Sequence, residues 1–259
     1  MVATDLKLQS LDNQRSFYAS SNPTRRWLHQ SRRAWVADAV RHSAAQLTAG
    51  RDLAIEIGPG AGLALPVLAG EFKEVVALDV NPAFLHAARE ISLTHPNVRA
   101  LSGDATQPVA GVDPADLVLC SEVLEHVPEP APFIAGIYRL LAPGGVLVLT
   151  TPQRFSTVEV AARLLRNPGV IRLVRHVYGE AVVELGHISL RTAASVREML
   201  LASGFEITGH SRLGCYLPVL AEAGGQRAQR WEARLQSRWQ GSRMAGLLWT
   251  QCWIARRPA

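Results

Sequence analysis

Four short stretches of this 259-residue chain hold side chains suited to gripping a charged ligand. The first is Glu56-Ile57-Gly58-Pro59-Gly60-Ala61-Gly62, a glycine-rich turn with an acid at its entrance. Glycines there let backbone approach a ligand closely and aim helix N–H groups at it. The spacing is G-x-G-x-G, and the positions for a closing glycine hold Leu63 or Leu65, so the dinucleotide fingerprint is not met. An acid this near the turn suits a ligand with positive charge better than a pyrophosphate. The second stretch ends at Asp79, where a carboxylate can accept both hydroxyls of a ribose. The third is Gly103-Asp104-Ala105, where an acid can accept from an adenine amine. The fourth is Cys120-Ser121-Glu122-Val123-Leu124-Glu125-His126-Val127. Each alone reads as an ordinary turn or cap. All four in this order, each just past an apolar run, outweigh that reading.

Those runs must position the acids. Leu53–Ile57, Val75–Asp79, Val98–Leu101, Ala115–Cys120 and Val146–Thr150 read as strands, nearly all apolar, as strands buried on both faces are. Gly62–Ala69, Pro82–Leu93 and Pro130–Leu141 read as helices between them, the last ended by Ala142-Pro143-Gly144-Gly145. Alternation of this kind implies βαβ units and a parallel sheet, with ligands at the carboxyl ends of the strands. Thr192–Ala202 reads as a helix capped by Thr192, and Phe205–Thr208 and Leu247–Ala255 as closing strands. An amphipathic helix is expected from about Pro23 to Leu47.

The motifs EIGPGAG, VVALDVNPAFLHAARE, LSGDA, DLVLCSEVLEHV and LLAPGGVLVLTTP resemble the ordered motifs of class I S-adenosylmethionine-dependent methyltransferases. The resemblance is to the small-molecule branch that includes the ubiquinone and menaquinone biosynthesis enzymes. It covers residues 50–152 well and 186–207 more loosely. It implies an α/β Rossmann-like fold, a seven-stranded mostly parallel sheet with helices on both faces, plus an N-terminal cap helix and an inserted helical lid. Residues 1–50, 152–190 and 213–245 lie outside the strand–helix core, so 1–50 reads as a cap and 51–259 as the methyltransferase domain, with 152–190 and 213–245 as insertions serving as acceptor lid.

Carried over, the resemblance places Glu56, Gly58 and Gly60 around the methionine part of S-adenosylmethionine. Asp79 holds the ribose with Asn81 beside it, Asp104 and Ala105 contact the adenine, and Ser121 and Glu122 line the floor beneath the sulfonium. Tyr18, Trp27 and His29 on the cap are candidate acceptor-pocket residues. No metal is called for, because a set of carboxylates already favours a cationic ligand.

Transfer to a hydroxyl needs its proton removed, and His187 and His126 are the candidate bases. Cys120 reads as a buried strand-end thiol rather than a nucleophile, since Leu119 precedes it where cytosine methylation uses Pro-Cys. The Asn/Asp-Pro-Pro-Tyr signature of adenine amino methylation is also missing. The acceptor is therefore expected to be a small molecule, with oxygen the leading acceptor atom and nitrogen or carbon open. A nicotinamide-dependent oxidoreductase on the same sheet and a catalytically silent cofactor-binding partner are the competing readings.

Net charge is +5, but it is unevenly spread. Residues 1–50 carry +4, residues 51–153 carry −7 and residues 154–259 carry +8. The acids gather in the cofactor segment. The basic flanks pair Arg with apolar residues, as in Trp231, Arg234, Leu235 and Arg238 at helical spacing. A lid, or peripheral contact with an anionic membrane, are readings of these flanks; nucleic acid is not expected as a partner. Cys120, Cys215 and Cys252 are too scattered for a disulfide scaffold, and Met1 to Ser10 lack a leader's apolar core. A cytoplasmic location, with any membrane contact at the inner face, is expected, and the oligomeric state is left open.

Overall fold

The computed structural model describes residues 18–48, 50–157 and 190–259. Seven strands form one sheet: β1 (Leu53–Ile57), β2 (Glu74–Asp79), β3 (Val98–Ser102), β4 (Ala115–Ser121), β5 (Leu141–Pro152), β6 (Glu206–Leu213) and β7 (Thr250–Arg256). Their order is β3-β2-β1-β4-β5-β7-β6. The first five run parallel, and β7 lies antiparallel between β5 and β6. The strand order reverses between β1 and β4, where open α/β sheets leave a crevice for ligands. The Rossmann-like fold expected from the sequence is the one observed.

Strand residues alternate between two cores. Ile55, Ile57, Val118, Cys120, Leu147 and Leu149 face one side. There α4 (Pro130–Leu140) contributes Phe133, Ile134 and Ile137, and α5 (Ala193–Ala202) contributes Val196 and Leu200. Ala54, Val75, Ala77, Leu117, Leu119 and Val148 face the other. That side is covered by α1 (Pro23–Gln46), α2 (Leu65–Glu71) and α3 (Pro82–Ser92). α1 starts where the Asn22 side chain accepts from the backbone N–H groups of Thr24 and Arg25, with Pro23 in the first turn. Thr192 caps α5 by accepting from the Ser195 N–H, as the sequence suggests.

Some boundaries differ from the sequence reading. The helix expected from Gly62 begins only at Leu65, because Gly62 takes φ +72°, outside the helical range. The fifth strand starts at Leu141 rather than Val146, with the Pro143-Gly144-Gly145 turn absorbed as a skip in pairing between Leu141 and Val146. β6 runs on to Leu213, and β7 begins at Thr250, after a short turn of 3-10 helix at Arg243–Leu247.

The stretch between β6 and β7 forms α6 (Pro218–Ala223) and α7 (Gly225–Trp239), which pack on α1. The contact is polar and buried. Thr24 Oγ1 donates to Glu232 Oε2 at 2.7 Å, and Leu217 N donates to Glu232 Oε1 at 2.7 Å. Asn22 Nδ2 donates to the Ala221 carbonyl, and Arg25 pairs with Glu222 at 2.8 Å. The N-terminal helix and the C-terminal insertion thus form one unit. Residues 158–189, most of the first expected insertion, lie outside the described residues.

Candidate functional site

The carboxyl ends of β3, β2, β1 and β4 stand side by side and carry Asp104, Asp79, Glu56 and Glu122 in that order. At about 4.8 Å per strand the row spans roughly 15 Å, the reach of an extended nucleoside with an amino-acid tail. The Gly58 to Gly62 turn follows β1, and Gly58 and Gly60 adopt φ +68° and +53°, conformations that side-chain-bearing residues rarely take. Gly58 N donates to the Leu78 carbonyl, which ties this turn to the β2 end.

Asp79 Oδ1 accepts from the Asn81 N–H at 2.6 Å. Asn81 in turn caps α3 by accepting from Ala83 N at 3.1 Å. Asn81 therefore shapes the loop that presents Asp79. Burial raises the Asp79 carboxyl, while the backbone N–H groups of Asn81 and Val80 hold it back. Asp104 Oδ1 accepts from Thr106 N at 2.8 Å, and Ala105 is buried beside it. Gly136 of α4 presses on this turn so closely that an added Cβ would lie 1.8 Å from the Ala105 oxygen, so only glycine fits there.

Glu56 is 4% exposed, and its Oε2 has no hydrogen-bond partner among the described residues. Burial pushes its carboxyl up to about 8. A buried acid without a partner is costly to ionise, and a ligand cation removes that cost. The donor set fits S-adenosylmethionine: an orphaned acid for an ammonium group, with further acids along the row for hydroxyls and an amine.

Past Glu122 the surroundings change. Glu122 takes φ +57°. Its Oε1 accepts from Thr150 Oγ1 at 3.1 Å, and Ser121 Oγ lies 2.9 Å from the same hydroxyl. Its Oε2 accepts from Arg32 Nη1 at 2.7 Å. Arg32 comes from α1, with only 12% of its side chain exposed. Burial would pull its guanidinium down, but the Glu122 charge and the Tyr18 hydroxyl outweigh it and hold the cation firmly protonated. Arg32 Nη2 meets His29 Nδ1 at 3.3 Å. Arginine only donates, so Nδ1 must accept and the His29 proton sits on Nε2. Burial, then the Arg32 charge, pull His29 down to about 3, so the ring is neutral. Tyr18 packs on His29 with centroids 5.5 Å apart, and Trp249 meets His29 edge-on at 5.6 Å. The Arg32 guanidinium lies 5.7 Å over the Trp249 ring.

Tyr18 and His29 are thus brought together beside Glu122, whereas Trp27 faces a hollow lined by Gln226, Gln229 and Arg230 on α7. His126 sits in a single 3-10 turn, half exposed, with Nε2 3.9 Å from Glu125 Oε1. Glu125 is buried, accepts from Thr151 Oγ1 at 3.0 Å, and is raised by burial and by Glu122. His187 lies outside the described residues. Cys120 is fully buried and its thiol is pushed well up by burial.

Sequence reasoning did not single out Arg32, Thr150 or Trp249. Arg32 left a signal: it falls four residues from both Leu28 and Val36 on the buried stripe of α1. A charge on an apolar stripe is a buried charge in need of a partner.

Residues 27–210 match the family described as methyltransferase domain. The chain belongs to this family. Among curated relatives, the chain is 32% identical over 144 residues to the ubiquinone biosynthesis O-methyltransferase of Psychrobacter arcticus, covering 51% of this chain and 54% of that one. The chain spans about half the length of the curated relatives it matches. Among solved structures it resembles the N-methyltransferase NodS of Bradyrhizobium japonicum in complex with S-adenosylhomocysteine, with TM-score 0.61 and 18% identity, covering 98% of each chain. It also resembles magnesium protoporphyrin IX methyltransferase of Synechocystis with bound S-adenosylhomocysteine, with TM-score 0.62 and 16% identity, covering 96% of this chain and 94% of that one. At such identities the likeness concerns the fold.

Proposed function

We propose that this methyltransferase moves a methyl group from S-adenosylmethionine to an oxygen of a small molecule, a phenol, hydroxyl or carboxylate of a secondary metabolite or quinone-like compound. The observation that carries the reading is the buried Oε2 of Glu56, without a partner among the described residues, within a row of acids. Glu56 takes the ammonium group, with Gly58 and Gly60 against the methionine part. Asp79, its loop set by Asn81, takes the ribose hydroxyls. Asp104 and Ala105 take the adenine, and Ser121 and Glu122 form the floor. S-adenosylmethionine supplies an electrophilic methyl group on a cationic sulfur. The residues around it exclude water, neutralise charge and hold the acceptor atom in line.

Oxygen as acceptor atom is supported by the ubiquinone biosynthesis O-methyltransferases among the relatives. The acceptor pocket lies between α1 and the ends of β4, β5 and β7, lined by Tyr18 and His29. Residues 1–50 act as cap, and the insertions 152–190 and 213–245 as lid. The tie between α1 and α7 supports this for the second insertion. His187 or His126 carries away the acceptor proton.

Calorimetry with S-adenosylhomocysteine and with NAD tests the cofactor. Micromolar binding of the first and none of the second is expected; the reverse overturns the assignment in favour of an oxidoreductase. Turnover across phenol, carboxylate and amine acceptors separates oxygen from nitrogen or carbon transfer, and no turnover of any would point to a silent binding partner.

No helix among the described residues is long and apolar enough to cross a membrane. We infer a cytoplasmic protein, supported by three buried free cysteines. Peripheral contact with an anionic inner membrane face is supported by the solvent side of α7. Arg227, Arg230, Arg234 and Arg238 are exposed there beside Trp231, itself 50% exposed. Salt-sensitive co-sedimentation with anionic vesicles is expected, and none at low salt removes that contact.

A further inference from the structure

We propose that the acceptor reacts as an oxyanion, and that Arg32 together with the Trp249 indole N–H receives and stabilises that oxygen. The inference rests on the methyltransferase reading above and names the chemistry of the second substrate.

Arg32 carries five N–H groups. Glu122, His29 and the Tyr18 hydroxyl occupy three, which leaves two without a partner among the described residues. Beside it, Trp249 Nε1 is buried with no hydrogen-bond partner among the described residues. The Arg32 guanidinium lies 5.7 Å from the Trp249 ring centroid, which brings the further donors of a buried cation near a buried N–H with no partner among the described residues. Buried donors in this state call for an acceptor atom, and a negative oxygen answers both. The corner keeps an opening, since the side chains of Arg32 and Glu122 retain 12% and 19% exposure.

Charge points the same way. The groups facing Arg32 are Glu122, Glu125, His29, Tyr18 and, further off, Cys252. Glu122 is the carboxylate in direct contact and offsets one positive charge. Glu125 is raised by burial and by Glu122, so it favours the protonated form, and His29 is neutral. A sulfonium brought against this floor adds a second positive charge in a poorly solvated place. An anionic acceptor oxygen balances it.

The transfer then conserves charge without a base acting in the transition state. The acceptor hydroxyl loses its proton on binding, to water or a neighbouring histidine. A lone pair of the acceptor oxygen forms the new O–CH3 bond. The C–S bond breaks, its electron pair stays on sulfur, and cation plus anion give two neutral products.

The test uses 4-nitrophenol, whose anion is coloured, as the oxygen probe on protein saturated with S-adenosylhomocysteine. Calorimetry first establishes that S-adenosylhomocysteine binds; if it does not, the cofactor reading fails and the acceptor question falls with it. With the cofactor product bound, wild type should hold roughly tenfold more dye as anion than free solution does, at a pH below the dye's own pKa. Arg32→Gln should abolish that excess, Arg32→Lys should keep part of it, and Trp249→Phe should reduce it. No bound dye, unchanged ionisation, or an equal excess with Arg32→Gln overturns the proposal. Should Arg32→Gln fail to bind S-adenosylhomocysteine, Arg32→Lys and Trp249→Phe decide: an excess as large as wild type in both overturns it.

Discussion

The row of acids at the strand ends and the cluster beneath α1 are built in opposite ways. In the row, each side chain belongs to the strand that presents it. Glu56, Asp79, Asp104 and Glu122 come from a segment with a simple strand–turn–helix rhythm. In the cluster, Tyr18, His29, Arg32, Glu122, Thr150 and Trp249 come from both ends of the chain and from the middle. The first arrangement is set by local sequence; the second exists only once distant elements have packed. Under the proposed function the first would hold the cofactor and the second would choose the acceptor.

Several measurements sharpen or break that contrast. The largest effect on cofactor binding is expected at Glu56. Glu56→Gln removes the charge partner of a buried ammonium and should weaken S-adenosylhomocysteine binding by roughly 30-fold or more in calorimetry. His187→Ala should lower turnover about 100-fold at neutral pH, with recovery as pH rises, while leaving S-adenosylhomocysteine affinity within about twofold. If affinity falls instead, His187 belongs with the cofactor rather than the acceptor.

Thr24→Val cuts the tie between α1 and α7 and strands a buried carboxylate oxygen of Glu232. A loss of about 1–3 kcal/mol in chemical denaturation is expected. Acceptor turnover should suffer more than cofactor affinity; equal losses would mean that the two regions are not separable.

A smaller effect concerns pH. Glu56 has an ordinary carboxyl pKa of 4.5 when unfolded and about 8 when folded. Its contribution to stability is therefore full below the unfolded value and is lost as pH rises through the folded one. Pairing with an ammonium group cancels the penalty. The rise in Tm given by S-adenosylhomocysteine should thus grow between about pH 6 and pH 8, and the growth should vanish in Glu56→Gln. Smallest of all is Trp27→Ala, which touches the α7 side of the cap. It should alter acceptor KM by less than about twofold and stability by about 0.5 kcal/mol.

The contrast also explains what could be read in advance. The sheet was legible because apolar runs of strand length, each followed by glycine or an acid, leave few alternative folds. Glu56, Asp79 and Asp104 were legible because their place at a strand end is itself a sequence feature. Trp27 and His29 both read as pocket residues in the sequence, yet the turn of α1 sends them to different neighbours. A two-residue separation on a helix points side chains far apart. Arg32 went unnoticed among neighbouring arginines because charge alone does not announce burial. Its spacing of four from Leu28 and Val36 held the clue. Trp249 could be placed only by knowing that β7 starts at Thr250 and returns beside β5. Nothing local encodes that neighbour.

The bond from Thr24 to Glu232 joins positions 208 residues apart. A ribosome adds about 5–20 residues per second, so the first helix emerges on the order of 10–40 seconds before its partner. For that interval the start of the helix, around Thr24, lacks its partner, while Val36, Val40 and Ala44 further along can already pack on the sheet. The strands that present the row of acids are therefore made before the segment that ties down the start of α1.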